Sequence, residues 1–99
     1  MFEKIRNKMR EKIRSLEYVM TVHAEEEIEN DNLSIFDVEN GILTGEIVER
    51  QKDIETGEWK YPVGGKTLDD EDIIIVAKIS PTDKLVIITV YLEKYEIEN

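Results

Sequence analysis

The chain has 99 residues, 36 % of them charged and 40 % hydrophobic, with 23 acidic against 13 basic side chains, one histidine and no cysteine. A chain this short holds one domain and buries only about 60–65 % of the surface its unfolded form exposes. The lack of cysteine excludes a disulfide framework and thiolate metal sites, and no apolar run nears the roughly 20 residues of a membrane span, so a soluble cytoplasmic protein is expected.

The net charge of −10 is unevenly placed. Residues 1–15 carry Lys4, Arg6, Lys8, Arg10, Lys12 and Arg14 against Glu3 and Glu11, a net of +4, which leaves −14 on the rest. An acidic body repels phosphate backbones, so any nucleic-acid contact would be local. Phe2, Ile5, Met9, Ile13 and Leu16 recur at intervals of three and four, which predicts an amphipathic helix over 1–15. Three uses compete for its basic face: simple solvation, an arm for an acidic partner, or an RNA contact.

A short extended stretch, Tyr18 to Met20, precedes a second helix with Thr21 as N-cap and Glu25 and Glu26 near its positive end. Asn30 to Asn32 ends it. Ser34 and Asp37 make a shortened capping box for a third helix with Ile35, Val38 and Ile42 on its apolar face, and Gly41 and Gly45 weaken and stop it. The period then changes to two. Strands are predicted near Glu46 to Lys52, from Glu58 to about Val63, from Ile73 to Ile79 and from Leu85 to Leu92. Pro62 with Gly64 and Gly65 suggests an edge or a bulge. One domain spans 1–99, with the basic helix over 1–15 and an α+β core over 16–95; Tyr95 and the tail Glu96 to Asn99 lie beyond the sheet. The fold expected is α+β, about three helices on one face of a four-stranded, mainly antiparallel sheet.

His23 carries the chain's one imidazole, a group suited either to proton transfer or to packing at the start of a helix. Glu26 and Glu27, three and four residues on, share its helical face, but no second histidine completes a usual metal site. Arg50, Lys60, Lys78 and Tyr91 fall on strands in an alternation that would gather a small basic surface with one aromatic, or leave them as solvent-side residues among acids. Trp59, Tyr61 and Val63 share a strand face and read as core packing, or else as an exposed interaction patch.

The pattern Tyr18-x-x-Thr21-x-His23-Ala24, then Leu33-Ser34-Ile35-x-Asp37-Val38, then Gly45-Glu46-Ile47-Val48-Glu49 and the closing Leu85-Val86-Ile87-Ile88-Thr89-Val90-Tyr91 resembles the small bacterial family catalogued as domain of unknown function 4258. The resemblance covers nearly everything after Leu16. It implies kinship with toxins of the RelE and MqsR type, a metal-independent messenger-RNA ribonuclease activity with no cofactor, and a cognate zinc-finger antitoxin of the MqsA type. Messenger RNA or the ribosome would be the target, no membrane would be involved, and the protein would be a monomer or small homo-oligomer. In that frame His23 would be the acid or base, Tyr91 a supporting or stacking group, and Arg50, Lys60 and Lys78 the phosphate-holding cations. Where many members carry an arginine four residues after the histidine, this chain has Glu27; where many carry a second histidine, it has Ile73, Ile74 and Ile75. Reversing that charge removes help from the developing phosphorane. The other functional class is a non-catalytic protein-binding module of the same fold.

Overall fold

Helix α1 (Glu3–Arg14) forms where the apolar spacing predicts it, with Glu3 in its first turn and Lys12 and Arg14 in its last, each favourable to the helix dipole. Met9 and Ile13 are buried in the core and Phe2 and Ile5 pack against it, but Leu16 is turned into solvent. The cause is local: Leu16 takes a left-handed φ of 58°, which ends the helix and reverses the chain. The computed structural model describes residues 1–93, so the expectations for Tyr95 and the tail fall outside the described residues.

Beyond the turn, β1 (Tyr18–Met20) leads into α2 (Val22–Asn30), whose N-cap Thr21 accepts the Ala24 N–H as its sequence predicts. Ser34 and Asp37 form a complete capping box at the start of α3 (Ile35–Thr44). The strands that follow are β2 (Glu46–Ile47), β3 (Gln51–Lys52), β4 (Trp59–Lys66), β5 (Asp72–Ile79) and β6 (Leu85–Leu92). They build one open, mixed sheet in the order β1-β6-β5-β4-β2, with β3 also on β4, so the described residues hold three helices and six strands rather than four. Two departures account for the difference. The extended stretch at Tyr18 becomes a strand because it pairs in parallel with Leu85 to Ile87, far away in sequence. The long strand expected over 46–52 breaks into two, since Val48 to Arg50 face Tyr61 and Pro62, and proline has no N–H to offer a continuous ladder.

All three helices lie on one face, over Val63, Ile73, Ile75, Ala77, Leu85, Ile87 and Val90, which with Met9, Ile13, Ala24, Val38 and Ile42 make the core. Helix α3 sits unusually close to β4, because Gly41 and Gly45 meet Gly65 backbone to backbone. No helix of the described residues is long and apolar enough to cross a membrane.

The basic helix spends much of its charge inside the molecule. Arg6 pairs with Glu46 at 2.9 Å, and Arg10 donates to the Gly45 carbonyl at 2.8 Å, covering the negative end of α3. Lys8 and the largely buried Lys12 reach Asp83 in the β5–β6 turn at 2.7 and 3.0 Å. Hydrogen bonds from Lys8 and Lys12 hold the Asp83 carboxyl below its ordinary value of 3.8, and the Asp83 bond raises the Lys12 ammonium above 10.5. A depressed acid stabilises the fold above its unfolded pKa, and that contribution disappears as pH falls through the folded value. Stability is therefore expected to drop as pH falls below about 4, and Asp83→Asn to flatten that acid limb in thermal melts across pH. An unchanged acid limb would refute the pairing as its source.

A second titrating link joins β1 to α3. The Tyr18 hydroxyl donates to Glu39 at 2.5 Å, and burial, followed by that bond and the Glu39 charge, pushes the phenol up to about 12. A raised folded pKa stabilises below the unfolded value near 10 and is lost as pH rises towards the folded one. Ultraviolet titration is expected to show one tyrosine ionising near pH 12 that vanishes in Tyr18→Phe. Loss of a lower-pKa transition in that variant would contradict the assignment.

Candidate functional site

His23 stands at the beginning of α2, just past the outer edge of the sheet, with its side chain 66 % exposed. Its Nε2 lies 3.3 Å from Glu27 Oε1, one turn further on, and the same Glu27 oxygen accepts the Val90 N–H at 3.0 Å. Strand β6 explains why a side chain is needed there. Strand β1 covers β6 only as far as Ile87, so the next backbone groups on that edge lack a strand partner. Thr21 donates its hydroxyl to the Ile88 carbonyl at 2.9 Å, and Glu27 accepts from Val90. The pairing of β5 with β6 also slips here, from Val76 opposite Thr89 to Ala77 opposite Ile87, so Ile88 is the extra residue of a bulge. Thr21 and Glu27 thus close the irregular edge of β6, and His23 is held against the closing carboxylate. Glu27 is the residue that sequence reading undervalued; its i,i+4 spacing from His23 was the available signal.

The expected basic surface is only partly assembled. Lys78 and Tyr91 lie on the face away from the helices, at Val86 and Ile74 in the β5–β6 register. That places them about 13 Å apart along the strand. Lys60, opposite Gln51, falls next to Lys78 by continuation of the β4–β5 register, on the same face. Lys78 Nζ is bound by Glu58 at 2.5 Å. Backbone N–H groups of Thr56 and Glu55 hold Asp53 below the usual carboxylate range, with the charges of Lys60 and Lys78 adding to the effect. Acids therefore occupy this end of the sheet as fully as cations do.

Arg50 lies apart from these, in the break between β2 and β3, with its guanidinium carbon 4.0 Å from the Trp59 ring centre; Lys52 is 5.6 Å from the same ring. Of the three aromatic-face residues only Val63 is fully buried. Tyr61 meets Phe2 edge to face at 6.2 Å, and Trp59 is 39 % exposed. His23 is at the β1–β6 side of the sheet and Arg50 at the β3–β4 side, with β5 between. The sheet thus brings Lys60 and Lys78 together but does not bring His23 to Arg50. Among the described residues no group of three or more His, Cys, Asp or Glu side chains is placed to hold a metal ion.

What the face away from the helices does gather is apolar surface. Val19, Ile74, Val76 and Val86 lie there with Thr89 and Tyr91, framed by the Lys66–Asp72 pair at 2.6 Å and the Lys78–Glu58 pair. Val19 is 45 % and Tyr91 43 % exposed, and no helix of the described residues covers them. Sheets with helices on one side usually carry polar residues on the other.

The family model described as domain of unknown function (DUF4258) matches residues 20–92, which leaves α1 outside the match. No curated protein and no solved structure matches the chain.

Proposed function

The chain belongs to the DUF4258 family, and from that premise we propose that this member works as a protein-binding module, its uncovered sheet face seating an apolar surface of another protein. The observation that carries the proposal is the run of Val19, Ile74, Val76, Val86 and Tyr91 on a face with ion pairs at both ends. Such a patch supplies burial at its centre and charged groups at its rim, the usual division of labour in an interface. The scatter of the histidine and the cations favours this reading over catalysis, because a ribonuclease needs its base and its phosphate-holding charges within reach of one phosphodiester. The expected partner is a small zinc-finger protein of the MqsA antitoxin type, the partner that a resemblance to RelE and MqsR toxins would imply.

Coexpression with a zinc-finger protein of that type, encoded beside this chain, tests the proposal. A stoichiometric complex is expected on size-exclusion chromatography with light scattering, and the double variant Val19→Lys with Tyr91→Lys is expected to lose it while melting like the wild type. A complex indifferent to those substitutions, or no complex, would remove the sheet face from the interface.

A metal-independent messenger-RNA ribonuclease is the second reading, and one observation favours it: a carboxylate orients the exposed imidazole of His23. Cleavage of messenger RNA in EDTA by the wild type and not by His23→Ala, with or without ribosomes, would establish it.

A further inference from the structure

A groove of about 340 Å³ runs between the end of β1 and helices α2 and α3, on the other side of the molecule from the uncovered sheet face. Met20, Ile28 and Ile35 line it, all half-buried, and Glu25 and Glu29 stand over them. The two carboxylates are one helical turn apart on α2, so their Cβ atoms are about 6 Å from each other. Neither makes an ion pair or a side-chain hydrogen bond among the described residues. On the same two helices Glu27 holds Val90, Asp37 closes the capping box of α3 and Glu39 accepts from Tyr18, while Glu26 and Asp31 are exposed and lie outside the groove.

The surroundings reinforce the charge. Between Leu16 and Glu49 the chain has ten acidic residues and not one lysine or arginine. Four of the six cations of α1 are engaged elsewhere, since Arg6 and Arg10 serve Glu46 and the end of α3, and Lys8 and Lys12 serve Asp83. The groove therefore combines an apolar floor with a negative rim to which none of the described residues brings a paired cation.

We propose that this groove binds a cationic amphipathic segment of a partner protein. Lysine and arginine fit it in both halves of their chemistry: the aliphatic stem lies on Met20, Ile28 and Ile35, and the charged head reaches Glu25 and Glu29. A purely hydrophilic cation would leave the floor wet, and a purely apolar segment would leave two carboxylates unpaired over it. The site is separate from the sheet face, so its failure and the failure of the sheet-face reading are told apart by different variants.

The test uses a short amphipathic lysine–leucine peptide as probe, with titration calorimetry and amide chemical shifts at physiological ionic strength. Binding is expected to move the amides of Glu25, Ile28, Glu29 and Ile35, and Glu25→Gln with Glu29→Gln is expected to weaken it by about tenfold or more. Glu26→Gln with Asp31→Asn removes the same charge outside the groove and is expected to change affinity by no more than about twofold. A probe with serine in place of leucine is expected to lose most of the affinity. Equal losses in the two double variants, or equal binding of the serine probe, would reduce the effect to general attraction of opposite charges and overturn the proposal. Self-association of the protein alone that Glu25→Gln with Glu29→Gln abolishes would overturn it as well, by making the occupant a second copy.

Discussion

Gly65→Ala is expected to lower the melting temperature by about 10 °C or more, and Gly65→Val to prevent folding. A Cβ at Gly65 would lie 2.1 Å from the Gly41 carbonyl oxygen, 2.9 Å from the Gly41 carbonyl carbon and 3.0 Å from the Gly45 Cα. All three obstacles are backbone, so no side chain can swing aside, and α3 would have to lift from β4 as a body. Lifting it would also separate Val38 and Ile42 from Ile73 and Ile75, the centre of the core. Inserting volume into a packed core costs about 1–3 kcal/mol, and a domain of this size loses about 4–8 °C per kcal/mol. Gly64 is the control, because its Cβ would point to the other face and meet only Ile74 Cδ1 at 3.5 Å, an ordinary contact. Gly64→Ala should therefore melt within a few degrees of the wild type. Similar melting temperatures for the two alanine variants in circular dichroism would refute the backbone contact as the reason for glycine at 65.

The contrast between these glycines shows which parts of the fold were legible in sequence. Thr21 and the Ser34–Asp37 box could be read directly, because a cap is a contact between residues three apart, and the structure keeps both. Near-continuous apolar runs bounded by charged and turn residues marked β5 and β6 nearly to the residue. Gly41 and Gly45 read only as helix breakers, since their use depends on Gly65, which is distant in sequence and supplies the third side of the approach. Tyr18 to Met20 reads as a mere extended stretch for the same reason: a three-residue strand exists only through its parallel partner. The candidate site follows the same rule. Alternation placed Lys60, Lys78 and Tyr91 on one face, but Arg50 left that set when the strand broke opposite Pro62, and it stacked on Trp59 instead. Charge balance along the chain showed an acidic body after residue 15, yet only the packing of α2 and α3 sets Glu25 and Glu29 over an apolar floor.

Glu27 touches both Val90 and His23, and substitution is expected to separate the two contacts. Glu27→Ala leaves the Val90 N–H, part-buried beside the bulge, without its acceptor, and losing the partner of such a group costs about 1–3 kcal/mol. A fall in melting temperature of several degrees is expected, by the same conversion as for Gly65. Glu27→Gln retains an amide oxygen in the place of Oε1, so the bond to Val90 survives and the melt should stay close to that of the wild type. His23→Ala should also be nearly silent in stability, because the imidazole is two-thirds exposed and touches the carboxylate from outside. Hydrogen exchange reports the same bond locally: Val90 is expected to lose protection in Glu27→Ala and to keep it in Glu27→Gln and His23→Ala. If Glu27→Gln destabilises as much as Glu27→Ala, the negative charge matters rather than the acceptor, and the carboxylate would have to be answering a positive His23. If neither variant changes the melt, the β6 edge does not depend on Glu27. The outcome also bears on the ribonuclease reading. An activity that falls with His23→Ala yet persists in a stable Glu27→Gln would assign Glu27 to holding the strand edge and leave the imidazole to act without its carboxylate charge.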